Sequence, residues 1–259
     1  MKIKKIKWAI LGAARVNEKL IPAITGSAQG ELVAVGSRRE NSAKESVNKF
    51  APEQVENIEC HKGFDSILNN REIDAIYIPL SNEEHTEPAI KAINNNKHVL
   101  IEKPMAIKSK EVELLVDLAK KNNVRIMEGF MYVFHPQFDR IQSIINSGIL
   151  GDVDYAHSMF SFPIQAARFY RIDRSMANGG GALWDIGPYA VHTIRSCFKE
   201  NPKRVCAEAK LNEHGADIST TVMIDFGADK KATLDISFEC IRRSEFEIFG
   251  KSGRLKCPQ

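Results

Sequence analysis

The sequence lacks several features that would define its class. It has no apolar run near the roughly 18 residues that span a bilayer, so a membrane-spanning role is excluded. Its five cysteines form no C-x-x-C pair, and its seven histidines make no metal-ligand spacing, so neither a disulfide framework nor a metal site is predicted. The N-terminal segment has no apolar core or small-residue cleavage site of a secretory signal. These absences predict a cytoplasmic protein with reduced thiols.

A strong charge of one sign is also absent. The chain has 36 Lys and Arg against 33 Asp and Glu, a formal net charge of +3. Much of the excess lies in Met1–Lys7, where lysine alternates with isoleucine. We interpret this segment as the solvated face of an entering strand rather than a nucleic-acid or membrane arm. Neither nucleic acid nor membrane is therefore predicted as a partner.

With 259 residues, 43% of them hydrophobic, the chain can bury a substantial core, and two domains are expected. In the first half, short apolar runs alternate with helical periods, which predicts βαβ units. The apolar runs are Trp8–Leu11, Leu32–Val35, Ala75–Ile78, Val99–Ile101 and Arg125–Met127. The helical segments between them are residues 20–24, 43–50, 85–94 and 111–120. About six strands would complete a doubly wound parallel sheet that binds ligands at the carboxyl ends of its strands.

The pattern changes after Gly129. A helix near residues 138–146 precedes alternating segments, which turn signals separate and which predict an antiparallel meander with one apolar face. The segments are Val153–Ala156, Thr221–Phe226, Ala232–Phe238 and Glu245–Phe249. The predicted fold class is thus α/β: an N-terminal Rossmann domain over residues 1–128, then a C-terminal α+β domain with a mainly antiparallel open sheet over residues 129–259.

Two turns carry the signal for a dinucleotide. Gly12–Asn17 follows the first strand, where such a fold needs a tight turn that opens a helix toward a pyrophosphate. Only the first glycine of the fingerprint is present, so an ordinary strand-to-helix turn stays the alternative. Gly36–Arg39 follows the second strand, where an NAD site usually carries a carboxylate. A hydroxyl and two guanidinium groups suit a 2′-phosphate and predict NADP over NAD, unless these arginines only solvate a turn.

Four further segments occur in order: Pro79–His85, Lys97–Pro104, Glu128–Pro136 and Gly179–Tyr189. Together they closely resemble the glucose-fructose oxidoreductase/inositol dehydrogenase family, and the resemblance covers the chain from its first strand to its last residues. In that family the lysine of the Glu-Lys-Pro motif lies beside the nicotinamide, which implies the same place for Lys103. The cofactor-binding residues expected from the turns and the resemblance are Gly12, Ala14, Arg15, Val16, Ser37, Arg38, Leu80, Asn82, His85, Glu102 and Lys103.

The segment Gly179–Tyr189 implies the substrate side. Its glycines permit close approach of backbone to ligand at a helix start, and Asp185 and Tyr189, four residues apart, are expected to share a helix face. Family members that act on sugars and dihydrodiols carry tyrosine as the proton donor or acceptor at this position, whereas the inositol branch has histidine. The resemblance implies that Tyr189 moves the proton, Lys103 stabilises oxygen charge and Asp185 orients the substrate. A phenol titrates at about pH 10 in water, so Tyr189 needs a cation such as Lys103.

Several side chains keep two interpretations. His135 and Trp184 either line the pocket or pack between the domains. On the loop before the glycines, Arg171, Asp173 and Arg174 either grip the substrate or the cofactor phosphate or are solvated. For His192, packing within a helix is favoured over a role as proton relay, and it is not assigned to catalysis.

The predicted function is NADP(H)-dependent hydride transfer to or from a secondary alcohol or ketone of a sugar, polyol or trans-dihydrodiol. The competing hypothesis is a non-enzymatic NAD(P)-binding regulatory protein, because a fold does not fix a function. Relatives tend to form dimers or tetramers through the open sheet of the second domain, so a homo-dimer or homo-tetramer is expected. Relatives also continue beyond the turn at Gly250–Leu255, and the second domain is expected to be incomplete relative to the family.

Overall fold

The computed structural model describes residues 4–258. The chain divides into two compact units, the first ending at Gly129 and the second beginning at Phe130. Of the lysine and isoleucine segment at the start, residues 1–3 lie outside the described residues, and Ile6 begins the first strand. No helix within the described range has the length and apolar character that crossing a membrane would require.

The first unit is a parallel sheet of six strands in the order β3-β2-β1-β4-β5-β6. The strands are β1 Ile6–Leu11, β2 Gly30–Ser37, β3 Glu59–Lys62, β4 Ala75–Ile78, β5 His98–Ile101 and β6 Ile126–Glu128. The helices are α1 Asn17–Thr25, α2 Ser42–Phe50, α3 Asp65–Asn69, α4 Thr86–Asn94 and α5 Ser109–Lys121. The predicted doubly wound sheet is confirmed, and its order reverses between β1 and β4, where such sheets bind ligands.

Burial explains why these segments could be recognised. All four residues of β4 are buried, as expected for a central strand covered by helices on both faces. The edge strand β3 is mostly exposed and carries no apolar run, so it gave no such signal. Lys97 is almost fully buried, and its Nζ donates to the carbonyls of Asn70 (2.5 Å) and Ile73 (3.0 Å). This lysine therefore joins the loop before β4 to the loop before β5.

The second unit has a mixed sheet in the order β12-β11-β7-β10-β9-β8. Its strands are β7 Val153–Ser161, β8 Arg204–Leu211, β9 Asp217–Gly227, β10 Lys230–Ser237, β11 Arg243–Gly250 and β12 Gly253–Cys257. Its helices are α6 Pro136–Asn146, α7 Ala182–Asp185 and α8 Gly187–Phe198. Among the strands of this unit that the structure describes, only the central pair, β7 and β10, is parallel, so the expected mainly antiparallel sheet is confirmed.

The expected meander is wrong at one step. Strands β9 and β10 form an antiparallel pair, but β11 does not lie beside β10. Strand β7 lies between them, parallel to β10 and antiparallel to β11. The segment after β10 crosses the end of β7, where Ser161 Oγ donates to the carbonyl of Ile241 at 2.7 Å. Turn residues specify hairpins between neighbouring strands and carry no information about insertion of an earlier strand.

Candidate active site

The turn after β1 meets the turn after β4. Gly12 has φ +133°, a conformation that glycine adopts without a steric penalty, and its N–H donates to the carbonyl of Gly36 at 2.8 Å. A Cβ at Gly12 would lie 3.0 Å from Leu80 Cδ2. The structure thus brings these two predicted residues together at the switch point, where the missing side chain of Gly12 leaves room for Leu80.

The helix that opens from this turn is fastened to it by Asn17, which stands at the third glycine of the fingerprint. Asn17 is fully buried, and its Nδ2 donates to the carbonyl of Gly12 (2.9 Å) and to Ser46 Oγ (3.3 Å). Its Oδ1 is buried without a hydrogen-bond partner in the part of the chain that the structure describes. In the turn between Gly12 and Asn17, Ala14 and Val16 are half-buried and Arg15 is exposed.

The residues after β2 reach toward the same turn. Ser37 is buried, and its Oγ accepts from the N–H of Arg39 at 3.2 Å. Arg39 Nη2 donates to the carbonyl of Ala13 at 3.2 Å. Arg38 lies over the ring of Phe64, and its Nη2 is 2.5 Å from Glu84 Oε1. Two guanidinium groups at this edge fit a 2′-phosphate, but sequence reasoning missed the carboxylate of Glu84, which now pairs with one of them.

Lys103 lies two residues beyond the end of β5 and is half-buried. The peptide bond between Lys103 and Pro104 is cis. The preceding side chain, Glu102, accepts a hydrogen bond from Tyr77 Oη at 2.6 Å.

His85 is fully buried, and both of its ring nitrogens face backbone carbonyls. Nδ1 lies 2.8 Å from the oxygen of Pro104, and Nε2 lies 3.0 Å from the oxygen of Leu80. Leu80, His85, Glu102 and Lys103 therefore belong to one connected edge, whereas Asn82 lies in a short 3-10 turn beside it. The ring of His85 is engaged with the loops that would hold a cofactor.

The sequence predicted that Asp185 and Tyr189 share one helix of the second unit. In the structure they lie on two different helices. Asp185 ends α7, and Tyr189 lies in the first turn of α8, with a break at Ile186. The reason is Pro188, which has no N–H to continue the helical hydrogen bonds and fits only the first turn of a helix.

The carboxylate of Asp185 is held by Arg171. Asp185 is buried, and Arg171 Nη1 donates to its Oδ1. The carbonyl of Arg171 in turn accepts from the N–H of Gly181 at 2.7 Å, so this arginine is joined both to Gly181, just before α7, and to Asp185, its last residue. This contact contradicts the interpretation of Arg171 as a solvated loop residue, and a grip on the substrate or the cofactor phosphate stays a prediction.

Asp217 is a buried carboxyl that sequence reasoning missed. Its Oδ2 accepts from the N–H of Leu183 (2.8 Å) and from Thr220 Oγ1 (2.7 Å). Its Oδ1 has no hydrogen-bond partner within residues 4–258, and it lies 1.9 Å from where a Cβ of Gly181 would stand. Burial raises the pKa of this carboxyl. Asp217 thus fastens the first turn of α7, 34 residues away in sequence.

We expect Asp217→Asn to flatten part of the dependence of stability on pH. Because the folded pKa is raised, the folded state binds the proton more tightly than the unfolded state. This tighter proton binding contributes to the stability of the folded state. The contribution is fully present below the pKa of the unfolded state, about 4, and is lost as the pH rises through the pKa of the folded state. The melting temperature of the native protein minus that of the variant should therefore be largest at the lowest pH and should decrease as the pH rises.

The measurement is thermal unfolding of both proteins from pH 4 to pH 8. The exposed Asp117 in α5 provides the control as Asp117→Asn. A native-minus-variant difference for Asp217 that stays constant with pH would contradict the prediction.

Tyr189 is surrounded by aromatic rings. The ring centroids of Phe130, Tyr132 and Phe160 lie 5.9, 6.0 and 6.1 Å from its own. Its hydroxyl is 3.8 Å from Met131 Sδ. The rings fix the direction of the side chain because aromatic edges and faces pack in preferred orientations.

His192 belongs to a chain of hydrogen bonds that ends on the backbone of Tyr189. His192 Nδ1 is 2.5 Å from Tyr132 Oη, which is 3.0 Å from Thr193 Oγ1, and Thr193 donates to the carbonyl of Tyr189 at 2.8 Å. Burial raises the pKa of Tyr132 to about 12 and lowers that of His192, so both rings are neutral at pH 7. With its ring also stacked on Phe130 at 4.8 Å, His192 agrees with the packed interpretation.

The remaining side chains with two interpretations have local contacts. His135 is exposed and caps α6 by accepting from the N–H of Gln137 at 3.2 Å. Trp184 Nε1 donates to the carbonyl of Met176 at 2.7 Å. Arg174 Nε lies 3.3 Å from Asp173 Oδ1.

Models of known protein families match both units of the chain. The Gfo/Idh/MocA model for an oxidoreductase family with an NAD-binding Rossmann fold matches residues 6–130, and the model for the Gfo/Idh/MocA C-terminal domain matches residues 138–256. An uncharacterized oxidoreductase of Rhizobium meliloti is 35% identical over 98% of this chain and 75% of its own length.

Two further proteins carry more specific names. The trans-1,2-dihydrobenzene-1,2-diol dehydrogenase of Xenopus laevis is 29% identical over 97% of this chain and 75% of its own. The crystal structure of a 3-ketoreductase from Actinomadura kijaniata, in complex with NADP and TDP-benzene, has a TM-score of 0.89 and is 25% identical. That match covers 99% of this chain and 77% of the ketoreductase.

Proposed function

Because the chain belongs to the Gfo/Idh/MocA family of oxidoreductases, we propose that it is an NADP(H)-dependent enzyme acting on a secondary alcohol or ketone of a sugar, polyol or trans-dihydrodiol. The observation that carries this proposal is Lys103, a half-buried lysine at the carboxyl end of β5, on the edge where Gly12 and Leu80 meet. The names of the dihydrodiol dehydrogenase and of the 3-ketoreductase support these substrate classes.

The nicotinamide, when bound, supplies or accepts the hydride. Lys103 hydrogen-bonds the reacting oxygen and stabilises the negative charge that develops there, since an ammonium fixed in a desolvated site acts strongly on such charge. Tyr189 gives its proton to the oxygen during reduction and takes it back during oxidation. Asp185, oriented by Arg171, positions the substrate by accepting a hydroxyl hydrogen bond.

The preference for NADP is carried by the residues after β2. Arg38 and Arg39 are the donors that fit a 2′-phosphate, and no acidic side chain stands among Gly36–Arg39. Glu84 acts against them, because its carboxylate pairs with Arg38 and competes with the phosphate. The preference should therefore be clear, but smaller than two unpaired arginines would give.

We expect Arg38→Ser to weaken NADPH binding about tenfold and NADH binding about twofold or less, since a largely exposed charge contributes at the low end for charge-assisted hydrogen bonds. Glu84→Gln should act in the opposite direction and strengthen NADPH binding. Both follow from titration of reduced cofactor fluorescence. Arg71→Ser, an exposed arginine before β4, is the control. Equal weakening of both cofactors by Arg38→Ser would place the guanidinium away from the 2′-phosphate.

The function itself is tested by absorbance at the reduced-nicotinamide band. NADP or NAD is supplied with a panel of sugars, polyols and trans-dihydrodiols, and NADPH or NADH with keto sugars and dicarbonyl compounds. Turnover with NADP preferred supports the proposal. Tight cofactor binding without turnover of any compound, together with capture of a protein partner, would favour a regulatory protein instead.

A further inference from the structure

The peptide group that joins Pro104 to Met105 is held from both sides. Its carbonyl oxygen lies 2.8 Å from His85 Nδ1, and its N–H donates to Glu128 Oε1 at 2.8 Å. In a trans peptide the C=O and N–H point in opposite directions, so the two side chains grip opposite edges of one rigid plane. That plane begins one residue after Lys103.

One of the two holding groups is fully removed from water and the other partly. His85 is fully buried in unit 1, and Glu128 is half-buried at the end of β6, where burial raises the pKa of its carboxyl. A carboxyl offers an acceptor oxygen in either protonation state, so the bond from Met105 persists across that shift. The buried contact between His85 Nδ1 and the Pro104 carbonyl is costly to break, because the carbonyl would be left unsatisfied.

The residue before Lys103 is held as well. The hydroxyl of the buried Tyr77 donates a hydrogen bond to Glu102 Oε1 at 2.6 Å. The N–H of Gly129 donates to the carbonyl of Ile101 at 2.7 Å. His85 Nε2 also lies 3.0 Å from the carbonyl of Leu80, which contacts the Gly12 turn. Before Lys103, the chain is thus held through the side chain of Glu102 and the carbonyl of Ile101, and after it the Pro104–Met105 peptide is held by His85 and Glu128.

We propose that His85 and Glu128 are positioning residues that hold the peptide plane after Pro104 and so aim the ammonium of Lys103. This rests on the proposed function for the role of Lys103 in turnover, but not for the restraint itself. A neutral imidazole carries one N–H, and we assign it to Nδ1 because the contact with the Pro104 carbonyl (2.8 Å) is shorter than that of Nε2 with the Leu80 carbonyl (3.0 Å), so His85 acts through the carbonyl of Pro104. Glu128 acts through the N–H of Met105.

Two substitutions of His85 separate its ring nitrogens. The side-chain NH2 of asparagine stands near the position of Nδ1, and that of glutamine near Nε2. His85→Asn therefore keeps a donor for Pro104, and His85→Gln keeps one for Leu80. We expect kcat of the asparagine variant to exceed that of the glutamine variant by about tenfold or more, since small misplacement of a reacting group is costly in rate. KM for the cofactor should differ much less, and melting temperatures of the two variants are compared as the structural readout.

Glu128 is tested by Glu128→Gln, which keeps an acceptor oxygen, against Glu128→Leu, which does not. Hydrogen exchange of the Met105 amide should stay slow in the glutamine variant and accelerate at least tenfold in the leucine variant. This readout requires no turnover, so it decides the restraint even if the native protein oxidises none of the compounds assayed. Equal kcat in the two His85 variants, or unchanged Met105 exchange in Glu128→Leu, would overturn the proposal.

Discussion

Replacing Lys103 with methionine is expected to lower kcat by about 10²- to 10³-fold, the range found when one preorganised donor to a developing oxyanion is removed. Methionine keeps the length and the apolar stem of the side chain and removes only the charge and the donors. Because the Pro104–Met105 peptide that follows is held by His85 and Glu128, the substitution should leave the surrounding turn in place. The affinity for NADPH is expected to stay within a few-fold of the native value.

The measurement is steady-state kinetics with the substrate that the assay panel identifies, together with cofactor titration. Lys120→Met in α5 is the matched control, because that lysine is exposed and belongs to neither predicted site. Lys103→Arg should recover little of the rate, since a planar guanidinium cannot occupy the place of a compact ammonium. Turnover of Lys103→Met within threefold of the native enzyme would remove Lys103 from the chemistry.

The parallel sheet could be predicted because its central strands are buried on both faces and therefore appear as continuous apolar runs such as Ala75–Ile78. The tight turn at Gly12 could be predicted for a related reason, since few residues other than glycine adopt its φ of +133°. The edge strand β3 could not be predicted, because an exposed strand needs no apolar pattern. Local sequence thus reveals a structure where burial or backbone geometry restricts the residue type.

What local sequence could not provide was pairing across long separations. Strand β10 accepts β7 as its parallel neighbour, with His157 and Thr233 in register 76 residues apart. The ion pair of Arg38 with Glu84 depends on the segments after two strands meeting, and the bond from Leu183 to Asp217 on helix α7 lying at the start of β9. The break between α7 and α8 is different, since Pro188 was a local signal for it that the four-residue spacing of Asp185 and Tyr189 obscured.

Gly181 is where the glycine run is expected to tolerate least change. Gly181→Ala should destabilise the second unit by about 4 kcal/mol or more, in the range of the most severe single substitutions. Gly181 has φ +107°, and an added Cβ would lie 1.9 Å from Asp217 Oδ1. Asp217 cannot turn away cheaply, because its other oxygen holds Leu183 and Thr220. The start of α7, and with it Asp185, would have to shift.

Gly148→Ala separates this clash from backbone strain, because Gly148 has φ +73° with no atom within 4 Å of an added Cβ. It should cost only about 1–2 kcal/mol, the strain of a left-handed residue.

The free energy of unfolding is measured by urea titration in a Trp8→Phe background. The fluorescence then comes from Trp184 alone, which lies within α7. Asp217→Ala removes the clashing oxygen, so Gly181→Ala should cost far less in that background than alone, a coupling of the two sites. Additive costs, or a Gly181→Ala loss within 1 kcal/mol of Gly148→Ala, would mean that the carboxyl of Asp217 does not restrict the glycine run.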